Sequence, residues 1–126
     1  MKTVQLQDIV DVELILAALY AKPISGLEQL RLFDKVLSAL EGIANIKYDE
    51  NGNVMVFEME NGKVVFDENN RPRRAITWKS DKRELRLEDG HAEFLKARLT
   101  ATEWTGAAAR RALRIVEDLS KDGADH

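Results

Sequence analysis

A chain of 126 residues that is 44% hydrophobic and 33% charged, with two prolines and seven glycines, has the size and composition of one compact soluble domain. It has no cysteine, which excludes disulfide frameworks, cysteine-ligated zinc and thiol nucleophiles. The longest apolar run, eight residues from Leu14 to Ala21, falls well short of the roughly 18 needed to cross a bilayer, and Met1-Lys2-Thr3 leads into patterned sequence rather than a secretory signal. A cytoplasmic, non-membrane protein is therefore expected. The net charge of −3 argues against nucleic-acid binding by bulk electrostatics. It hides an asymmetry: residues 1–70 carry 6 basic and 12 acidic side chains, residues 71–126 carry 13 and 10.

Thr3 to Gln7 alternates apolar and polar, the period of a short strand with one buried face. Asp8 is placed to cap a helix from Ile9 to Ala21, with Val12, Ile15, Leu16 and Leu19 at helical spacing and Asp11 and Glu13 in its first turn. This helix is apolar on more than one face, which predicts a place in the core or at a subunit contact. Lys22-Pro23 ends it. Ser25-Gly26-Leu27-Glu28 has the form of a capping box, and Leu27, Leu30, Phe33, Val36, Leu37, Leu40 and Ile43 mark one face of a second helix. Two helices so joined predict an antiparallel hairpin.

The middle of the chain changes period. Asn53 to Met59 and Lys63 to Asp67 flank Asn61-Gly62, the strongest short hairpin signal, because both turn residues must tolerate positive φ. The register this predicts sets Met59 against Val64, Phe57 against Phe66 and Met55 against Glu68. A second strand pair, Ala75 to Trp78 and Arg83 to Leu87 about a polar turn, would set Ile76 against Leu85. The product is an antiparallel meander of three or four strands laid on the helices. Asp89 is placed to cap a third helix carrying Phe94, Leu95 and Leu99, Thr100 to Gly106 reads as a break, and a last helix from about Ala107 turns Ala108, Ala112, Ile115, Val116 and Leu119 inward with Arg110, Arg111 and Arg114 outward. The whole predicts a single α+β domain over 1–121, with an N-terminal helical hairpin, a central meander and two C-terminal helices, and a frayed tail at 122–126.

Little in the sequence carries catalytic chemistry. Of the two histidines, His91 reads as a surface residue of a first helical turn and His126 is terminal, and no serine sits in a nucleophile elbow. Asp8 and Asp11, three apart, could share a hard cation but are better suited to complementing the N-terminal end of the helix dipole. Asp49 to Asn53 has the oxygen pattern that opens a calcium loop, yet its sixth position is Val54 instead of glycine, so a turn is expected. There is no P-loop or G-x-G-x-x-G turn. The expectation is a non-enzyme with no cofactor, no metal and no small-molecule substrate.

Two features point to partners. Arg71, Arg73, Arg74, Lys79, Lys82, Arg83 and Arg86 concentrate positive charge around Trp78, a basic and aromatic mixture that single-stranded nucleic-acid binders use. Trp104, in the helix break, is placed either to anchor the last two helices or to serve as a binding hot spot. Trp78, Trp104, Arg73, Arg74 and Arg83 are the candidate partner-binding residues. Leu85 to Asp89, Glu93 to Lys96, Leu99, Trp104-Thr105-Gly106 and Ala112 to Leu119, with the Met-Lys-Thr opening and helical pair of Met1 to Ile46, resemble small proteins of unassigned function encoded by tailed bacteriophages and prophages. The resemblance implies an accessory or assembly role exercised through protein contacts. The expected function is a non-catalytic, self-associating protein-binding module. The alternatives are a nucleic-acid-associated regulator using Arg71 to Arg86 with Arg110, Arg111 and Arg114, or an inhibitor that blocks a host enzyme through the acidic half.

Overall fold

The computed structural model describes residues 1–121; the expected tail at 122–126 lies outside them. The element order is β1 (Lys2–Gln5), α1 (Ile9–Tyr20), α2 (Leu27–Glu41), β2 (Ala44–Asn45), β3 (Lys47–Tyr48), β4 (Val54–Met55), β5 (Met59–Glu60), β6 (Lys63–Val64), β7 (Thr77–Trp78), β8 (Glu84–Leu87), α3 (Asp89–Ala101) and α4 (Gly106–Ser120). The described residues form an α+β fold of four helices, with one short strand before the first helical pair and short antiparallel strands between the two pairs. Among the described residues no helix is long and apolar enough to cross a membrane.

Helix α1 begins where Asp8, extended in its backbone, accepts the Val10 N–H at 3.1 Å. Its apolar circumference is consumed inside the domain: Val12, Leu14, Ile15, Leu16, Ala18 and Leu19 are all buried. α3 packs against α1, α2 and α4, so the first two helices meet chiefly across it and only loosely as a direct hairpin. Tyr20 and Phe33 supply an edge-to-face contact between them, centroids 5.4 Å apart. The expected capping box does not form. Gly26, at φ +88°, precedes the helix and no side chain caps it, so Ser25 lies a residue too far upstream to reach the free N–H groups.

Strand β1 pairs antiparallel with β8, Val4 against Leu85 and Gln5 against Glu84. This corrects the expected pairing of Ile76 with Leu85: β7 turns instead to β2, setting Trp78 against Ala44. The reason is burial. Val4, Leu6, Leu85 and Leu87 share the inner face of the β1–β8 ribbon, which the helices cover. A local hairpin could not have buried β1.

The Asn61-Gly62 turn forms, both residues at positive φ, with Met59 against Val64 as the pattern predicts. Beyond that pair the hairpin opens. The Arg73 peptide inserts between the two strands: Glu58 N–H donates to Arg73 O at 2.8 Å, Arg73 N–H to Val65 O at 2.9 Å, and Val65 N–H to Glu58 O at 2.9 Å. Three strands thus close a triangle in which Phe57 bridges Arg74 and Phe66 bridges Pro72, instead of Phe57 facing Phe66 or Met55 facing Glu68. Only Ala44, Ala75 and Ile76 of the segment between α2 and β8 are fully buried, so this triangle projects from the core where a sheet laid on the helices was expected.

Candidate functional site

Four charged side chains meet where α4 crosses the start of α1. Asp11 is completely buried. Its Oδ1 accepts from Arg111 Nη1 at 2.9 Å, and its Oδ2 accepts from the Gln7 N–H at 2.7 Å and from Arg114. Arg111 also grips Asp8 with two bonds, 2.7 and 3.0 Å, and Arg114 reaches on to the Gln5 carbonyl at 2.9 Å. The Arg111 hydrogen bond, then its charge, hold the Asp8 carboxyl below its ordinary pKa against the opposing effect of burial. The Arg111 guanidinium therefore bridges Asp8 and Asp11 where a shared cation would have to sit. Among the described residues no three His, Asp or Glu side chains gather as metal ligands. Arg111 and Arg114, expected outward, are half-buried at the margin of the α4 apolar stripe, and only Arg110 is exposed as expected. A sequence signal for this cluster exists: two acids three residues apart at one helix start match two arginines three apart on another helix.

The predicted partner residues divide into three places. Arg73 and Arg74 come together with Arg71, Pro72, Phe57 and Asp67 around a concavity of about 570 Å³. Arg73 lies 3.7 Å from Glu58. Arg74 is paired with Glu13 of α1 and sits 5.8 Å over the Phe57 ring. Trp78 and Arg83 form a separate pair, the guanidinium 5.1 Å from the half-buried indole, which packs on the core. Trp104 is apart from both. Its indole N–H donates to the Leu99 carbonyl at 2.8 Å, satisfying one of the free acceptors at the end of α3 and locking the connection to α4. Asp49 behaves as a turn residue, its Oδ1 accepting the Asn51 and Asn53 N–H groups at 2.8 and 3.0 Å.

A surface the charge pattern did not single out lies on α2. The stripe that buries Val36 and Leu40 continues toward the helix start, where Leu27 is 64% and Leu30 48% exposed. There a shallow groove of about 450 Å³ runs between Leu27, Glu28, Arg31, Leu32, Lys35 and His91 of α3. Among the described residues, none of Glu28, Arg31, Asp34 and Lys35 joins an ion pair, whereas Arg73, Arg74, Arg86, Arg111 and Arg114 all do. The legible signal was the length of the stripe, which outruns the body that it packs on. No known protein family, curated protein or solved structure gives a significant match to this chain.

Proposed function

We propose that this protein is a non-catalytic protein–protein interaction module that self-associates in the cytoplasm and serves a phage or prophage as an accessory or assembly protein. The single observation that carries the interaction reading is the run of α2 apolar stripe beyond the domain body, with Leu27 and Leu30 in water beside four charges free of ion pairs. An apolar centre with a polar, solvent-accessible rim is the usual anatomy of a protein interface. The phage context is what the sequence resemblance implies. Light scattering on the full chain over a wide concentration range tests self-association: a mass above the 14.3 kDa monomer is expected, and a monomer at every concentration refutes it.

The nucleic-acid reading draws on the concavity of Arg71, Arg73 and Arg74 beside Phe57. It has less support, because Arg73, Arg74 and Arg86 each face a carboxylate and Arg83 lies on Trp78. Reversing the charges of Arg73 and Arg74 would abolish a salt-sensitive interaction with DNA or RNA under that reading, and would leave oligomer mass unchanged.

A further inference from the structure

Strand β8 has one paired edge and one open edge. The Leu6 N–H donates to Arg83 O at 2.8 Å, and the register that sets Val4 against Leu85 then makes 4/85 and 2/87 the hydrogen-bonded pairs. The N–H and C=O groups of Glu84 and Arg86 point the other way. Among the described residues β8 pairs with β1 alone, so these four backbone groups face an edge where no described strand lies. The corresponding edge of β1 is engaged at Gln5, whose carbonyl accepts from Arg114 of α4 at 2.9 Å. The open edge borders a hollow of about 340 Å³ between Lys82, Glu84 and Arg86 on one side and Ala39, Gly42 and Ile43 at the end of α2 on the other.

We infer that this edge receives β8 of a second copy, antiparallel about a two-fold axis at Leu85, giving a continuous four-stranded sheet. The inference rests on the self-association proposed above and places the contact between copies at β8, apart from the apolar end of α2. Its ground is charge complementarity. Glu84 and Arg86 of β8 alternate with the buried Leu85 and Leu87, Glu84 half-buried and Arg86 exposed, and the exposed Lys82 and Glu88 continue the alternation just beyond the two ends of the strand. The Glu84 and Arg86 side chains are 40% and 68% exposed and share a contact of 3.5 Å along their own strand, while Glu84 Oε1 also accepts from the Gln5 side-chain amide at 2.8 Å. Hydrogen bonding requires the outward residues of one copy to meet outward residues of the other, which leaves three registers with substantial overlap. Centred on Glu84, the pairing opposes Glu84 to its own copy and Arg86 to Lys82. Centred on Arg86, it opposes Arg86 to its own copy and Glu84 to Glu88. Centred on Leu85, it sets Glu84 against Arg86 and Lys82 against Glu88, each twice by symmetry. Like charges directly opposite destabilise a sheet and unlike charges stabilise it, so only the last register is attractive throughout.

The test is sedimentation of the full chain with its β8 charges exchanged. The wild type is expected to dimerise. Glu84→Arg and Arg86→Glu each create two repulsive cross-strand pairs and are expected to weaken the dimer roughly tenfold or more, whereas the combined exchange E84R/R86E restores the opposition and the dimer. Circular dichroism on each variant establishes that it is folded. A folded single variant that dimerises like wild type, or a folded double variant that stays monomeric, overturns the inference. If the dimer ignores β8 charge but is lost in L27E/L30E, self-association stands and the β8 edge is refuted; a wild type that is monomeric throughout overturns both.

Discussion

Removing the Asp11 carboxylate is the most discriminating perturbation of the fold. Three donors converge on that group: the Gln7 backbone, Arg111 and Arg114. Asp11→Ala leaves Arg111 with its two bonds to Asp8 but leaves Arg114 with only the Gln5 carbonyl. Stranding one member of a buried ion pair costs about 3–5 kcal/mol. The Arg111 and Arg114 side chains remain 28% and 27% exposed, so water partly solvates the stranded charge. This sets the expectation at the lower end, about 3 kcal/mol for Asp11→Ala and about 2 kcal/mol for Asp11→Asn, whose amide oxygen can still accept from Gln7. At roughly 4 °C per kcal/mol for a domain of this size, Asp11→Ala should melt about 12 °C below wild type. Urea unfolding followed by circular dichroism gives the free energies. In a double-mutant cycle with Arg114→Ala, the combined loss should fall short of the sum by about 1 kcal/mol or more, while Arg110→Ala, exposed and outside the cluster, should lie within about 0.5 kcal/mol of wild type. Asp11→Asn unfolding like wild type, or Arg110→Ala costing as much as Arg114→Ala, would refute the assignment of the cluster as the clasp between α1 and α4.

Four further outcomes are expected. Because its hydrogen bond from Arg111 lowers the Asp8 pKa below 3.8 in the fold, the stability Asp8 contributes is complete above about pH 4 and is lost as the pH falls through the folded value; the difference in urea midpoint between wild type and Asp8→Asn should therefore shrink in acid. Both tyrosines are raised above 10, Tyr20 by burial and the Glu41 charge, Tyr48 by burial and by its hydrogen bond to Glu41 at 2.7 Å, so an ultraviolet titration of the native protein should show tyrosinate forming at higher pH than in the unfolded chain, and the stability they lend, complete below pH 10, should fade as the pH climbs toward the folded values. Trp104→Phe keeps the packing but strands the Leu99 carbonyl, and should cost about 1 kcal/mol in urea unfolding. Gly62→Ala meets no atom within 4 Å, so the roughly 1 kcal/mol it should cost comes from φ +77° alone, and Gly62→Asn should cost less.

The parts of this fold legible in the sequence are those fixed within a few residues. The Asp8 cap, the α2 stripe from Phe33 to Leu40, the interruption between Ala101 and Gly106 and the Asn61-Gly62 turn each have a local cause, and each stands within a residue or two of where its pattern predicts. What the pattern could not carry is partnership. β1 reads correctly as a strand, yet nothing near residue 4 names Leu85 as its neighbour, and the equally apolar Ile76 lay closer to Leu85 along the chain. The insertion of Arg73 between Glu58 and Val65 has no periodic signal, because it is made by backbone groups that every residue possesses. Arg111 and Arg114 look solvated by type, and only the acids waiting on α1 turn them inward. The C-terminal end of α1 shows the same limit: it has no basic residue of its own, and Arg98 of α3 reaches across to the Leu19 and Lys22 carbonyls.

The treatment of the two edges of the β1–β8 ribbon bears on why one is left open. Exposed edges invite strand addition, and proteins that must stay single protect them with like charges, proline, bulges or a covering helix. β1 follows that practice at Gln5, where Arg114 of α4 takes up the outward carbonyl. β8 does not. A protective edge would carry lysines at its outward positions, which repel in every antiparallel register, whereas Lys82, Glu84, Arg86 and Glu88 alternate in sign. Alternation repels in the two neighbouring registers and attracts in the one between, so of the three registers with substantial overlap it favours one. An exposed row of charges is commonly a solubility device, but alternation adds nothing to solubility that four like charges would not supply better. Its distinctive physical consequence is register. Since these pairs are exposed, their attraction is screened by salt, and dimerisation through β8 should weaken as ionic strength rises. A dimer whose mass is indifferent to salt would be held instead by the apolar end of α2.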